Sequence, residues 1–170
     1  MSEVEIRCAH YKDWKALALV HSESYRSAYR GIIPDDYLDE FTAAKREIYY
    51  QKALTEGTEK IALLIVDSKA VGCMIVGKSR DDDLDDTYGE IEAIYLLVEH
   101  RGNGLGKMFL NWGIDRLKEL GYSNTSLWVL KENRNAIIFY ERLGFVFDGA
   151  ERLITRGKEL VQVRCQKIMV

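Results

Sequence analysis

The stretch Glu90-Ile91-Glu92-Ala93-Ile94-Tyr95-Leu96-Leu97-Val98-Glu99-His100-Arg101-Gly102-Asn103-Gly104-Leu105-Gly106 decides the fold. Glu90–Val98 reads as a long strand carrying Ile91, Ile94, Leu96 and Val98. The glycines Gly102, Gly104 and Gly106 then let the backbone turn tightly and bring its N–H groups close to an anion. From Gly104 to Leu120 the residues Leu105, Phe109, Leu110, Trp112, Ile114 and Leu117 recur at helical spacing, and Gly121 closes the helix. A helix start offers unpaired N–H donors and the positive end of the peptide dipoles. Strand, glycine loop and helix together therefore predict a pyrophosphate site.

Two common nucleotide loops do not fit. A dinucleotide fold places its glycine loop after the first strand, whereas this one begins at residue 101, behind a hairpin. No Gly-x-x-x-x-Gly-Lys-Ser/Thr segment is present, which excludes a nucleoside-triphosphatase loop.

On the N-terminal side, Glu3–Cys8 alternates as a strand, and Asp13–Tyr29 reads as a helix stopped by Gly31. Pro34 opens a short helix through Leu38 and Phe41, and Ala43–Leu54 is a third helix. The β-branched runs Ile61–Val66 and Val71–Val76, joined by a turn at 67–70, predict an antiparallel hairpin. On the C-terminal side come a strand at Ser126–Leu130, a helix at Asn133–Leu143 closed by Gly144, and strands at Phe145–Ile154 and Leu160–Ile168. This order predicts one mixed α/β domain over residues 1–170, with an antiparallel N-terminal part and a βαβ unit in its middle.

The 170 residues are 47% hydrophobic and 30% charged, with a net charge of -3, as in a globular chain rather than a nucleic-acid binder. Cys8, Cys73 and Cys165 form no Cys-x-x-Cys pair or Cys/His cluster, so no zinc site is expected. Their odd number and wide spacing predict free, buried thiols in a reducing compartment. No basic-then-apolar leader or membrane-length apolar run is visible, so a cytoplasmic protein without membrane partners is expected. A homodimer is compatible with the sequence. Asp81-x-Asp83-x-Asp85, with Glu92 twelfth, half-matches a calcium loop. Position six is Asp86 where glycine is required, so the segment reads as a solvated hairpin loop. Its charge and the acidic balance lean slightly toward a polycationic small amine as ligand.

A second motif sharpens the first. Arg101-Gly102-Asn103-Gly104-Leu105-Gly106 is followed by Asn133-Arg134-Asn135-Ala136-Ile137-Ile138-Phe139-Tyr140-Glu141-Arg142-Leu143-Gly144-Phe145. The pair, and the element order over nearly the whole chain, resembles the GNAT superfamily of N-acetyltransferases. The resemblance implies a central, mostly antiparallel, splayed seven-stranded sheet flanked by helices, with acetyl-CoA as co-substrate and no metal. It implies that the fourth strand is bulged and pairs with pantetheine through Ile94, Tyr95 and Leu96. Arg101, Gly102, Asn103, Gly104, Leu105, Gly106 and Lys107 would wrap the pyrophosphate. Asn133 would bond the pantetheine arm, or serve as a helix N-cap, or both. Tyr140 matches the tyrosine beside the thioester sulfur, a candidate general acid.

The implied reaction needs a base for an amine that is mostly protonated at neutral pH. Glu90 and Glu92 lie two apart on one strand and share a face, with Ile94 and Leu96 beside them unless a bulge intervenes. Glu90, 11 residues before Arg101, is the preferred base and Glu92 the alternative. Tyr25 and Tyr29, four apart on one helix, either line the acceptor pocket or pack in the core. The implied activity is acetyl transfer to a small-molecule primary amine or polyamine, with a protein amine as a further option. A non-catalytic CoA-binding module of the same fold is the competing reading.

Overall fold

The structure, a computed structural model, describes residues 1–57 and 59–169. Strand β1 (Val4–Cys8) leads through a single 3-10 turn into α1 (Trp14–Tyr29), α2 (Asp35–Glu40) and α3 (Ala43–Glu56). Then come β2 (Lys60–Val66), β3 (Lys69–Lys78), β4 (Tyr88–Leu96), α4 (Leu105–Glu119), β5 (Asn124–Leu130), α5 (Arg134–Arg142), β6 (Val146–Thr155) and β7 (Glu159–Ile168). The seven strands form one sheet in the order β1-β2-β3-β4-β5-β7-β6. Only β4 and β5 pair in parallel, across the crossover helix α4.

Local chemistry explains most boundaries. The β2–β3 turn is two residues long, not four, because Lys69 and Ala70 pair with Val66 and Ile65. Asp67 and Ser68 both take positive φ, 48° and 66°, which matches the twist of the flanking strands. Strand β4 ends at Leu96 rather than Val98, since Val98–His100 winds into a 3-10 turn that aims the glycine loop. The α1 and α3 helices cover one face of β2–β4, and α4 covers the other through Phe109, Leu110 and Leu117, all fully buried. Ile33, Leu38, Leu130 and Leu160 form a second cluster that ties the α1–α2 connection to the β5–β7 end of the sheet.

All three cysteines are free, but Cys8 is exposed. The expectation of three buried thiols fails there because β1 is an edge strand and Cys8 is its last residue. Among the described residues no helix is long and apolar enough to cross a membrane.

Candidate active site

The sheet opens in its middle. Tyr88, Gly89 and Glu90 pair with Asn124, Thr125 and Ser126. Beyond that point Ile91–Leu96 pairs only with β3, and Leu127–Leu130 only with β7. The facing edges of β4 and β5 form a wedge with its apex at Glu90 and Ser126. Backbone groups along such edges require partners, and an extended, amide-containing arm can supply them by adding as a strand.

The bulge that the resemblance implies is at Glu92. In the β3–β4 ladder Ile75 faces Ala93 and Val76 faces Ile91, so Glu92 is the extra residue. The bulge re-phases the strand. Tyr95 stacks on His21 of α1 at 4.8 Å. Ile94 sits opposite Met74, whose sulfur lies against Gly113 of α4. Ile94 and Leu96 therefore leave the face that carries Glu90 and Glu92, and only their backbones border the wedge.

The glycine loop lies at the wide end. Gly102 and Gly104 adopt left-handed φ values of 78° and 87°, which side chains rarely tolerate. The amides of Gly102, Asn103 and Gly104 donate no hydrogen bond among the described residues, while Leu105 N–H reaches Asn103 Oδ1 at 3.4 Å. The first-turn amides of Gly106 and Lys107 extend the row. Arg101 plays a different part from that expected. Its guanidinium donates to Leu96 O (3.0 Å), Ser24 O (3.2 Å) and Ser27 Oγ (3.1 Å), and its amide donates to Val98 O. It fastens the loop to β4 and α1 and offers no free cation to a phosphate. Asn133 caps α5, accepting from Ala136 N–H at 3.4 Å, and its side-chain amide donates to no described residue.

The two carboxylates differ. Glu90 is 1% exposed and accepts three hydrogen bonds from Arg80, the shortest 2.6 Å. Glu92 approaches Arg80 only at 3.7 Å. Burial, reinforced by Glu59 and Glu90 nearby, outweighs Arg80 and raises the Glu92 carboxyl to about 7. Glu90 is thus locked in an ion pair, whereas Glu92 is poised near neutrality, where a carboxylate can accept a proton.

Tyr140 packs edge-on to Phe145, and its hydroxyl makes no hydrogen bond to described residues. Burial raises the phenol well above its ordinary value, so it stays protonated at neutral pH. Tyr25 and Tyr29 pack in the core, the second of the two readings given to them. Tyr25 stacks on Phe41 at 3.9 Å, and both tyrosines border the second apolar cluster. Tyr29 Oη also meets Tyr95 Oη at 3.2 Å, on the same face of β4 as Glu92. Sequence reading missed His21, whose Nδ1 lies 2.7 Å from Tyr50 Oη beneath Tyr95. It also missed Arg80, the partner of Glu90.

The acidic loop is not simply solvated. Asp81 and Asp83 pair with Arg164, which also holds Asp148; Asp86 pairs with Lys78; Asp81 accepts from Trp128 Nε1 at 3.0 Å. With these charges engaged internally, the ground for a polycation preference falls away. Among the described residues no group of three or more His, Cys, Asp or Glu side chains is arranged to hold a metal.

The profile of the acetyltransferase (GNAT) family matches residues 21–145. The chain belongs to this family. It is 30% identical to YuaI, an uncharacterized N-acetyltransferase of Bacillus subtilis, over 97% of this chain and 90% of that one. An uncharacterized N-acetyltransferase of Methanocaldococcus jannaschii is 32% identical over 79% of this chain and 60% of its own length. Among solved structures, the PaiA N-acetyltransferase of Thermoplasma acidophilum, in complex with coenzyme A, superposes with a TM-score of 0.74 at 20% identity. That match covers 98% of this chain and 99% of that one. YncA of Salmonella typhimurium, with acetyl-CoA, gives 0.72 at 19% identity, covering 98% and 94%. The fold is thus the GNAT fold, and the chain is an acetyl-CoA-dependent acyltransferase of that family.

Proposed function

We propose that this GNAT enzyme transfers the acetyl group of acetyl-CoA directly to a small primary amine in a ternary complex. The observation that supports this most is the conjunction, around one wedge, of unpaired loop amides, a bulged Glu92 with its carboxyl near 7, and a protonated Tyr140.

In this reading the amides of Gly102 to Lys107 hold the donor pyrophosphate, and the edges of Ile94–Leu96 and the Asn133 amide hold the pantetheine arm. Glu92, directly or through one water, takes the proton from the acceptor ammonium and leaves a neutral amine. The amine nitrogen attacks the thioester carbonyl; a backbone N–H of the bulged strand stabilises the oxyanion. As the C–N bond forms and the C–S bond breaks, the Tyr140 hydroxyl donates to the departing thiolate. The nitrogen's second proton leaves as the C–S bond breaks and, through solvent, replaces the one given up by Tyr140; Glu92 releases its proton to solvent, giving an acetamide and free CoA thiol. His21 and Tyr29 position Tyr95 and with it the bulged strand.

The test is thiol release by purified protein with acetyl-CoA and a panel of primary amines, alongside calorimetric binding of acetyl-CoA. Amine-dependent release supports transfer. Tight binding with no amine-stimulated release would leave the non-catalytic CoA-binding module instead.

A further inference from the structure

The face of the sheet next to Glu90 and Glu92 continues across β5, β7 and β6. By strand alternation Ser126, Trp128 and Leu130 lie on it, as do Gln166, Arg164 and Gln162 opposite them, Leu160 next along β7, and Arg152 and Ile154 of β6 opposite Gln162 and Leu160. The apolar cluster fixes which face this is, because Leu130, Leu160 and Ile154 pack with Tyr25 and Tyr29 of α1. The wall of the acceptor side is therefore readable residue by residue.

That wall carries four guanidinium groups with unequal duties, and Arg164 is taken by Asp81, Asp83 and Asp148. Arg80 is consumed by Glu90. Arg152 lies over the Trp128 ring at 4.1 Å and is held by Gln162 Oε1 at 2.7 Å. Arg156 stands at the β6–β7 turn; its guanidinium donates to the carbonyl of Thr155 at 2.8 Å and lies beside the Tyr25 hydroxyl, and its amide donates to Lys158 O. The turn itself, at Gly157, packs against Pro34 and Tyr37. Neither Arg152 nor Arg156 has a carboxylate partner among the described residues, since Asp81, Asp83 and Asp148 are taken by Arg164. Burial lowers the Arg152 guanidinium against the pull of Asp81 and Glu90, with Arg80 and Arg156 adding to the lowering, and Arg156 acts on the Tyr25 phenol by charge and hydrogen bond. Two guanidiniums without a salt-bridged carboxylate, on the sheet face that carries Glu90, form a receptor for an anion, and Arg is suited to bidentate carboxylate recognition.

We infer that the acceptor is an amine that also carries a carboxylate, an amino-acid-like small molecule, with the carboxylate held by Arg152 and Arg156 and the amine delivered to Glu92. The inference rests on the acetyl-transfer reading and narrows its acceptor. A polycationic amine would meet unfavourable charge at the same arginines.

The test compares matched acceptors: free lysine, lysine amide and 1,5-diaminopentane; and free methionine, methionine amide and 3-methylthiopropylamine. The carboxylate-bearing member of each set should have the highest kcat/KM, by about 10–100-fold, the range for a charge-assisted pair. Arg152→Gln and Arg156→Gln should each raise KM for the carboxylate substrate about tenfold or more, with kcat, acetyl-CoA KM and activity on the decarboxylated amines little changed. Arg152→Lys should recover part of the loss. Diamines or amides that equal or exceed the amino acids would overturn the inference while leaving acetyl transfer intact. No thiol release with any amine, despite acetyl-CoA binding, would overturn both.

Discussion

Replacing Glu92 by glutamine should move activity and stability in opposite directions. The substitution keeps shape and a polar contact to Arg80 but removes the charge. In the folded chain the Glu92 carboxyl is raised from 4.5 to about 7, so the native state holds a proton there that the unfolded chain has released. Stability is therefore lost as pH rises from about 4.5 through 7, by up to ~3 kcal/mol at ~1.36 kcal/mol per unit. At pH 8 the variant should be more stable than the parent by an amount approaching that, and at pH 4 the two should coincide. Urea unfolding at both pH values measures the difference. Turnover should fall by about 10²–10³-fold, the usual contribution of a positioned base. The pH profile is diagnostic. Below about 7 only Glu92 must lose a proton, because its carboxylate then takes the one on the acceptor ammonium, so log kcat/KM should climb with a slope of one and level off near 7. The variant should show a slope of one throughout. A variant with parental turnover and an unchanged bend, or one destabilised at pH 8, would refute this reasoning.

Tyr140→Phe should lower kcat about 10–100-fold while the calorimetric Kd for acetyl-CoA changes less than about threefold, because only the donor hydroxyl is lost. Gly104→Ala forces a side chain into the left-handed region, at a cost of about 1–2 kcal/mol in thermal unfolding, and should raise the KM for acetyl-CoA by disturbing the loop amides. Burial, with a smaller contribution from Arg46, lowers the His21 imidazolium from 6.5 to about 3, so stability present above 6.5 is lost as pH falls toward 3, by roughly 4–5 kcal/mol. Acid unfolding followed by circular dichroism should steepen below pH 6, and His21→Gln should flatten that limb.

Much of this protein could be read before its structure was known. Periodicity located all seven strands and the five helices because each buries a stripe or a face at its own period. The paired motifs at Arg101 and Asn133 pointed to the family because glycines with left-handed φ and an asparagine cap are local requirements. Long-range chemistry was not legible. Nothing near Glu90 in sequence announces that Arg80 neutralises it, and no pattern in β4 marks Glu92 as the bulged residue, because a bulge is a property of the ladder with β3. The anchoring contacts of Arg101 were hidden for the same reason: its partners Ser24 and Ser27 lie on α1. The acidic loop looked free because Arg164, which binds it, stands about 80 residues away. The alternation Arg152-x-Ile154-x-Arg156 was visible, but only the packing of Ile154 shows which face it presents.

The most direct measurement is a crystal structure of the protein with CoA. The account predicts pantetheine between β4 and β5 beyond the Glu90–Ser126 apex, and pyrophosphate oxygens within hydrogen-bond distance of the amides of Gly102 to Lys107. The sulfur should lie within reach of Tyr140 Oη, on the side of β4 that carries Glu92. A cofactor bound outside the wedge, or a sulfur remote from both Tyr140 and Glu92, would contradict it.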